Sequence, residues 1–167
     1  MAARRLAAAV LTAALGAATA SALAQPADGP MVLLGAGAMG LHDGETGRAE
    51  AEVQLRGAPL VWRIEPQGGL LVNDSGSVYG WAGIAADLPV WERLSLTPAF
   101  GAGLYGRGDG KDLGHTVEFR SQVELAWTTE DGLRIGVQAY HISNAGLGAR
   151  NPGVEGALLV VGLPFGR

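Results

Sequence analysis

Apolar and polar residues alternate with a period of two over much of the chain. The segment Arg48–Arg56 places alanine, valine and leucine at odd numbers, with Glu50, Glu52 and Gln54 at even numbers between them. The segment 116–127 repeats the scheme, again with its charged residues at even numbers. Because successive side chains of a β-strand point to opposite faces, this alternation predicts strands with one apolar and one charged face.

Turn-forming sequences rich in Gly, Asp, Asn and Pro divide the chain into eight such segments. An even number of strands, each about ten residues long and joined by turns of alternating length, is typical of outer-membrane barrels. The predicted fold is therefore all-β, an eight-stranded antiparallel transmembrane β-barrel. The predicted strands cover residues 31–41, 48–57, 60–73, 77–88, 93–106, 113–128, 132–143 and 154–165.

The charged faces indicate which side of the sheet lies inside. In a soluble barrel the apolar face forms the core, whereas in a membrane barrel it contacts lipid and the charged face fills the interior. A face that carries both signs of charge favours the membrane barrel over a soluble lipocalin-like barrel, whose interior should be apolar. The predicted interior set is Glu50, Glu52, Glu65, Glu118, Glu124, Arg56, Arg63, Arg120 and Arg134.

The first 24 residues follow a different pattern. Arg4 and Arg5 precede an apolar stretch rich in alanine and leucine, and small residues then offer a cleavage site. A secretory signal peptide is therefore predicted over residues 1–24, which leaves 25–167 as the barrel domain. A membrane anchor is the less favoured alternative, because the apolar stretch is short and rich in alanine.

Composition narrows the class of protein further. Without Arg4 and Arg5, 10 of the 12 basic residues remain against 16 acidic ones, a net charge of −6 that argues against nucleic acid as a partner. Cysteine is absent and the histidines are not spaced as a metal site, so neither a disulfide, a metal nor a cofactor is expected. Mean hydropathy is high, at +0.20, yet no later stretch approaches the roughly 20 apolar residues of a membrane helix. The aromatic residues predicted for the membrane interface are Trp62, Trp81, Trp127 and Phe165.

The segment Tyr140–Leu147, YHISNAGL, places reactive side chains at the end of an apolar strand. By strand parity His141 and Ser143 lie on the apolar, outward row, and Glu155 lies on the outward row of the next strand. If the hairpin is symmetric about Ala149, Ser143 faces Glu155 and His141 lies diagonal to it. A serine, a histidine and a carboxylate then converge, as the nucleophile, general base and orienting acid of acyl transfer require.

The connection NAGLGARNPG follows the serine. An ester hydrolase needs hydrogen-bond donors for the oxyanion of its tetrahedral intermediate. Asn-Pro-Gly by itself is typical of a turn, so Pro152 and Gly153 are interpreted as turn residues. The candidate donors are the side chains of Asn144 and Asn151 and the backbone N–H groups near Ala145 and Gly146.

The sequence HISNAG, followed by NPG and by an acid twelve positions after the serine, resembles the lipid A 3-O-deacylase family of outer-membrane barrels, the PagL type. The resemblance is strong over roughly 111–165 and is architectural before that. It implies Ser143 as nucleophile, His141 as base and Glu155 as third member of a triad on the outer wall of the barrel. It also implies release of a 3-hydroxy fatty acid from the 3-position of lipid A.

The predicted function is therefore that of a serine esterase in the outer membrane, with lipid A or lipopolysaccharide as its substrate. A second copy of the chain is a further candidate partner. The alternative is a non-enzymatic small barrel, an adhesin or a structural protein, in which the three residues are interfacial polar groups. The Arg-Gly-Asp sequence at 107–109 suggests an adhesin, although loops rich in glycine and charge produce this tripeptide by chance. Release of fatty acid from lipid A separates the two interpretations.

Overall fold

A computed structural model describes residues 29–41 and 47–165, so the predicted signal peptide lies outside the described residues. The described residues form nine strands in one antiparallel sheet, of which eight are long and one has two residues. The strands are β1 Met31–Met39, β2 Arg48–Arg56, β3 Ile64–Asn73, β4 Val78–Ala86, β5 Leu88–Pro89, β6 Leu94–Gly106, β7 Val117–Thr128, β8 Arg134–Ser143 and β9 Val154–Pro164.

The sheet closes on itself. The first and last strands pair along their whole length, from Met31 opposite Pro164 to Met39 opposite Gly156. Strand β4 pairs with β6, and the short β5 pairs only with β6. The predicted eight-stranded antiparallel barrel is therefore confirmed, and none of its eight long strands has a free edge in the described part of the chain.

Predicted and observed strands agree closely, except that two strands begin later in the chain than predicted. Strand β3 begins at Ile64 rather than at residue 60, because Trp62 adopts a left-handed φ of 51° and the Ile64 N–H bonds the Val61 carbonyl at 2.9 Å. Strand β7 begins at Val117 rather than at residue 113. The residues before each of these strands form turns that the period-two pattern did not separate from the strand.

Three connections and the described residues of a fourth lie together at one end of the barrel, because consecutive long strands run in opposite directions. These are residues 74–77, 107–116 and 144–153, with residues 40, 41 and 47 between β1 and β2, and we call this the loop end. The opposite end carries the connections 57–63, 87–93 and 129–133, and we call it the turn end.

Two clusters of paired charges lie in the interior. The guanidinium of Arg120 binds both carboxylate oxygens of Glu52, at 2.6 and 2.8 Å, and lies between the rings of Trp81 and Tyr140, 4.7 and 4.3 Å from their centroids. These four side chains are almost completely buried. Bidentate pairing and stacking together satisfy a charge that would be costly to bury alone.

A second interior cluster lies nearer the turn end. Arg134 binds Glu124 at 2.5 Å and Asp87 at 2.9 Å, and Glu124 also accepts a bond from Arg56 at 2.9 Å. Because an eight-stranded barrel is only wide enough inside for side chains, the two clusters form a packed polar core.

Two predictions about faces are wrong. Trp81 was expected in an aromatic girdle, but it is only 6% exposed inside the barrel, where its indole N–H donates to Glu52 at 2.8 Å. A buried indole needs such an acceptor, and the polar interior supplies it. Arg63 was expected inside, but it lies partly buried in the turn before β3. The left-handed Trp62 turns the chain there, and Asp87 from another connection joins the interior pairs instead.

The outer surface carries apolar rows. Ile135 and Val137 on β8 and Leu159 on β9 are each more than half exposed, at 51%, 53% and 71%. On the neighbouring strands Phe100 and Phe119 stack at a ring distance of 6.1 Å. Within residues 29–41 and 47–165, no helix is both long and apolar enough to cross a membrane.

Candidate active site on the outer face

Strands β8 and β9 bring His141 and Glu155 side by side towards the loop end. The two residues are direct cross-strand partners, and Nδ1 of His141 lies 2.9 Å from Oε1 of Glu155. Both point outward, since their side chains are 44% and 43% exposed while Tyr140 and Ile142 between the outward positions are buried. The pair is therefore reachable from the surroundings of the barrel.

The register differs from the symmetric hairpin that the sequence suggested. Pairing between β8 and β9 ends at Ile142 opposite Val154, so that His141, not Ser143, faces Glu155. Ser143 is paired on its other side with Phe119 of β7. The shift amounts to two residues, which leaves every side chain on its original face. Its cause is the loop after β8, whose own hydrogen bonds take the place of further ladder bonds.

Ser143 is the last residue of β8 and lies on the same outward row as His141. Residues two apart on one face of a strand are separated by roughly 6.6 Å along the strand. No hydrogen bond joins the Ser143 hydroxyl to His141 among the residues that the structure describes. Catalytic bonds of this kind often tighten only when substrate is bound.

The hydrogen bond to Glu155 selects the form of the imidazole. An ionised carboxylate only accepts hydrogen bonds, so the proton of the neutral ring lies on Nδ1 of His141. The lone pair is then on Nε2, the nitrogen turned away from Glu155. This is the arrangement in which a carboxylate orients a histidine as a general base.

A second hydroxyl, which sequence reasoning missed, flanks the same imidazole. Ser121 of β7 is the direct cross-strand partner of His141 and is exposed on the outer face. Its position on the outward row with Phe119 and Val123 was available from parity. Its place beside His141 depends on the pairing of β7 with β8, which parity does not give.

The loop after β8 is built around the fully buried side chain of Asn144. Its Nδ2 donates to the carbonyls of Leu113, at 2.8 Å, and Arg150, at 2.7 Å, while its Oδ1 accepts the Gly146 N–H at 2.9 Å. These bonds use both amide hydrogens of Asn144 and the backbone donor of Gly146. Two of the predicted oxyanion donors, the Asn144 side chain and the Gly146 N–H, therefore stabilise the loop.

The other two predicted donor groups, the Ala145 N–H and Nδ2 of Asn151, donate no hydrogen bond within the described part of the chain. Ala145 is exposed and has a left-handed φ of 52°, and its N–H is unpaired. Asn151 accepts the Asn144 N–H with its Oδ1 at 3.0 Å, which fixes the orientation of the amide and leaves Nδ2 for another acceptor. Both donors lie in the exposed loop that follows Ser143.

The loop after β6 packs against the loop after β8. Arg150 lies 2.8 Å from the carboxylate of Asp112, and Arg107 lies 3.7 Å from the same oxygen. A Cβ on Gly114 would come within 2.5 Å of the Arg150 carbonyl, so the two backbones are in direct contact. The Gly114 N–H, together with the two arginines, holds the pKa of Asp112 below its usual value. The loop beside Ser143 is thus supported by charge and by close backbone packing.

Fold and geometry together define a class of protein: a small closed β-barrel with a serine, a histidine and a glutamate on its outer surface. Residues 89–164, which contain all three, match the model of the family described as PagL, lipid A 3-O-deacylase. The crystal structure of the outer membrane enzyme PagL is similar, with 17% identity, a TM-score of 0.65 and coverage of 81% of this chain and 99% of that one.

A structure from the de novo design of transmembrane β-barrels is also similar, with 12% identity and a TM-score of 0.55 over 86% of this chain and 100% of that one. No curated protein matches the chain. The resemblance to the lipid A 3-O-deacylase (PagL) family is therefore confirmed, by sequence over residues 89–164 and by fold over the barrel.

Proposed function

We propose that the chain is an outer-membrane esterase that removes the 3-position acyl chain of lipid A. The observation that carries this proposal is the hydrogen bond between His141 and Glu155 on the outer face, two positions from Ser143, inside the segment that matches the deacylase family. An ester of a membrane lipid can approach such a site from the bilayer. It has no need to enter an interior that is packed with paired charges.

In this proposal Ser143 is the nucleophile and His141 is the general base. Nε2 of His141 takes the Ser143 Oγ proton as Oγ bonds to the ester carbonyl carbon, and Glu155 stabilises the imidazolium that forms. The bond from that carbon to the 3-oxygen of the sugar then breaks, and the oxygen leaves with the proton from Nε2. A water molecule that His141 deprotonates next releases the 3-hydroxy fatty acid and restores Ser143.

The negative oxygen of each tetrahedral intermediate needs donors beside Ser143. We assign this role to the Ala145 N–H and to Nδ2 of Asn151, since both are exposed and unpaired within the described residues. A donor of this kind typically contributes about 3–4 kcal/mol to the transition state. Asn144 and Gly146 act indirectly, because their hydrogen bonds hold the loop that presents these donors.

The proposal includes the location of the site. With the loop end on the extracellular side, His141 and Ser143 lie at the level of the outer leaflet, where lipopolysaccharide resides. The exposed apolar rows would contact lipid, and the predicted signal peptide would direct export. The mechanism uses neither a metal nor a cofactor, and a second copy of the chain stays a prediction.

The test is fatty-acid release from purified lipid A by the protein folded in detergent micelles. The wild type is expected to release 3-hydroxy fatty acid and to leave lipid A one acyl chain lighter in a mass spectrum. Ser143→Ala should lose nearly all activity, whereas Ser121→Ala, which removes the other hydroxyl beside His141, should keep most of it. The opposite result for the two variants would identify Ser121 on β7 as the nucleophile. A wild type that releases no fatty acid would favour a non-enzymatic barrel.

A further inference from the structure

Gly153, the residue before β9, closely approaches the imidazole of His141. It is buried, and its φ of +59° lies in the left-handed region. A Cβ at this position would lie 2.8 Å from Cε1 and 3.2 Å from Nε2 of His141. The first distance is shorter than Cβ atoms adopt in proteins, so a side chain here would force the imidazole or the loop to move.

The orientation of the imidazole depends on two neighbours. Glu155 binds Nδ1 from the neighbouring strand, and the edge formed by Cε1 and Nε2 lies where a side chain on residue 153 would begin. One hydrogen bond alone leaves a histidine ring considerable freedom, because its χ2 torsion is broad. A Cβ on residue 153 would therefore displace the ring from the position in which it binds Glu155.

We propose that Gly153 is a positioning residue for His141. The missing side chain leaves the Nε2 edge of the imidazole free, so that the ring can occupy the position in which Glu155 binds Nδ1. The catalytic consequence rests on the proposed function, whereas the effect on the ring does not. The Asn-Pro-Gly turn therefore has a second task beyond reversing the chain.

A left-handed φ by itself also favours glycine, so strain and contact have to be separated. Gly132, in a connection at the turn end, has a φ of +81° and lies far along β8 from His141. Gly132→Ala therefore imposes backbone strain without touching the site. Asparagine tolerates a left-handed φ better than alanine does but carries the same Cβ. Gly153→Asn therefore relieves strain at Gly153 while keeping the clash with His141.

The experiment compares Gly153→Ala, Gly153→Asn and Gly132→Ala with the full-length wild type in micelles. The imidazole ¹⁵N signals of His141, assigned with His141→Gln, report the Nδ1–H bond to Glu155, and lipid A deacylation gives kcat and KM. Both Gly153 variants should lose the wild-type His141 signals and at least tenfold in kcat, with KM within about twofold. Gly132→Ala should match the wild type in both measurements.

Two results would overturn the proposal. One is a Gly153→Ala protein whose His141 signals and kcat equal those of the wild type. The other is a Gly153→Asn protein that regains the signals and activity lost in Gly153→Ala, because strain alone would then explain the glycine. If the wild type itself has no deacylase activity, the proposed function fails, and the ¹⁵N comparison still decides whether Gly153 positions the ring.

Discussion

Two pairs of side chains on the strands of this barrel, each formed by a glutamate and a basic residue, point in opposite directions. Glu52 and Arg120 lie inside with fully buried side chains, whereas Glu155 and His141 lie outside with more than two fifths of each side chain exposed. The inner pair uses a guanidinium, which does not lose its proton in proteins. The outer pair uses an imidazole, which is suited to taking up and releasing one.

The inner pair is enclosed by the barrel, and the outer pair keeps one edge open. Arg120 binds both oxygens of Glu52 and stacks on two aromatic rings, and both side chains are fully buried, so a ligand outside the barrel cannot reach them. His141 bonds Glu155 through Nδ1 and leaves Nε2 without a hydrogen bond among the described residues. The direction in which a strand residue points thus separates side chains that hold the fold from those available for chemistry. Substitutions inside should change stability, and substitutions outside should change activity.

His141→Ala should have the largest effect and should act on activity alone. Removal of the proposed general base is expected to lower kcat about 10,000-fold, which corresponds to about 5.5 kcal/mol of transition-state stabilisation. The thermal unfolding of the variant in detergent should equal that of the wild type, because the side chain is exposed. Deacylation rates check the predicted loss of activity, and unfolding monitored by circular dichroism checks the predicted stability. A large loss of stability would contradict the expectation that substitutions in the outer pair change activity alone.

Arg120→Met should come next and should act on stability. It leaves Glu52 as an unpaired charge inside the barrel, a change that typically costs about 3–5 kcal/mol. Urea unfolding, followed by tryptophan fluorescence, measures the loss. The double variant Arg120→Met with Glu52→Leu should recover part of it, since the uncompensated charge is gone. If the double variant were less stable than Arg120→Met, the unpaired charge of Glu52 would not explain the loss of stability.

Glu155→Gln should lower kcat by about 100-fold, or about 2.7 kcal/mol, and leave KM nearly unchanged. The amide cannot stabilise an imidazolium, and its N–H₂ group can stabilise the wrong tautomer of His141. Glu92→Gln is the matched control, because Glu92 is an exposed glutamate at the turn end. Steady-state kinetics on lipid A decides the point. Equal kcat in Glu155→Gln and the wild type would reduce the proposed triad to serine and histidine.

Asp112→Asn should have the smallest effect, about twofold to threefold in kcat/KM, because exposed ion pairs are weak and screened by salt. The contribution of Asp112 to the stability of the loop 144–153 depends on pH in a defined direction. The pKa of Asp112 is lowered in the folded protein, so the contribution is present above the unfolded pKa and is lost as pH falls through the folded pKa.

Hydrogen exchange of the amides in residues 144–153 measures this support of the loop. The variant should exchange faster than the wild type at neutral pH, and the two should converge in acid. Equal exchange at neutral pH would show that backbone packing between Gly114 and Arg150 holds the loop without the charge.

The number of long strands and the direction in which most residues point could be predicted from the sequence. The alternation in Arg48–Arg56 is a local property of the strand and needs no knowledge of its neighbours. The same reasoning put His141, Ser143 and Glu155 on one face of two adjacent strands. A register error of two residues did not disturb this, because side-chain direction repeats every two residues.

Tertiary structure alone decided which residues meet. Three such features join different segments of the chain: the pairing of His141 with Glu155 and with Ser121, the hydrogen bond of Asn144 to Leu113, and the close approach of Gly153 to the imidazole. Likewise, the acceptor for the buried indole of Trp81 comes from Glu52, which lies on another strand. The period of a strand fixes a direction for each side chain. The distance between two side chains depends on strand register and loop closure, which only the folded barrel sets.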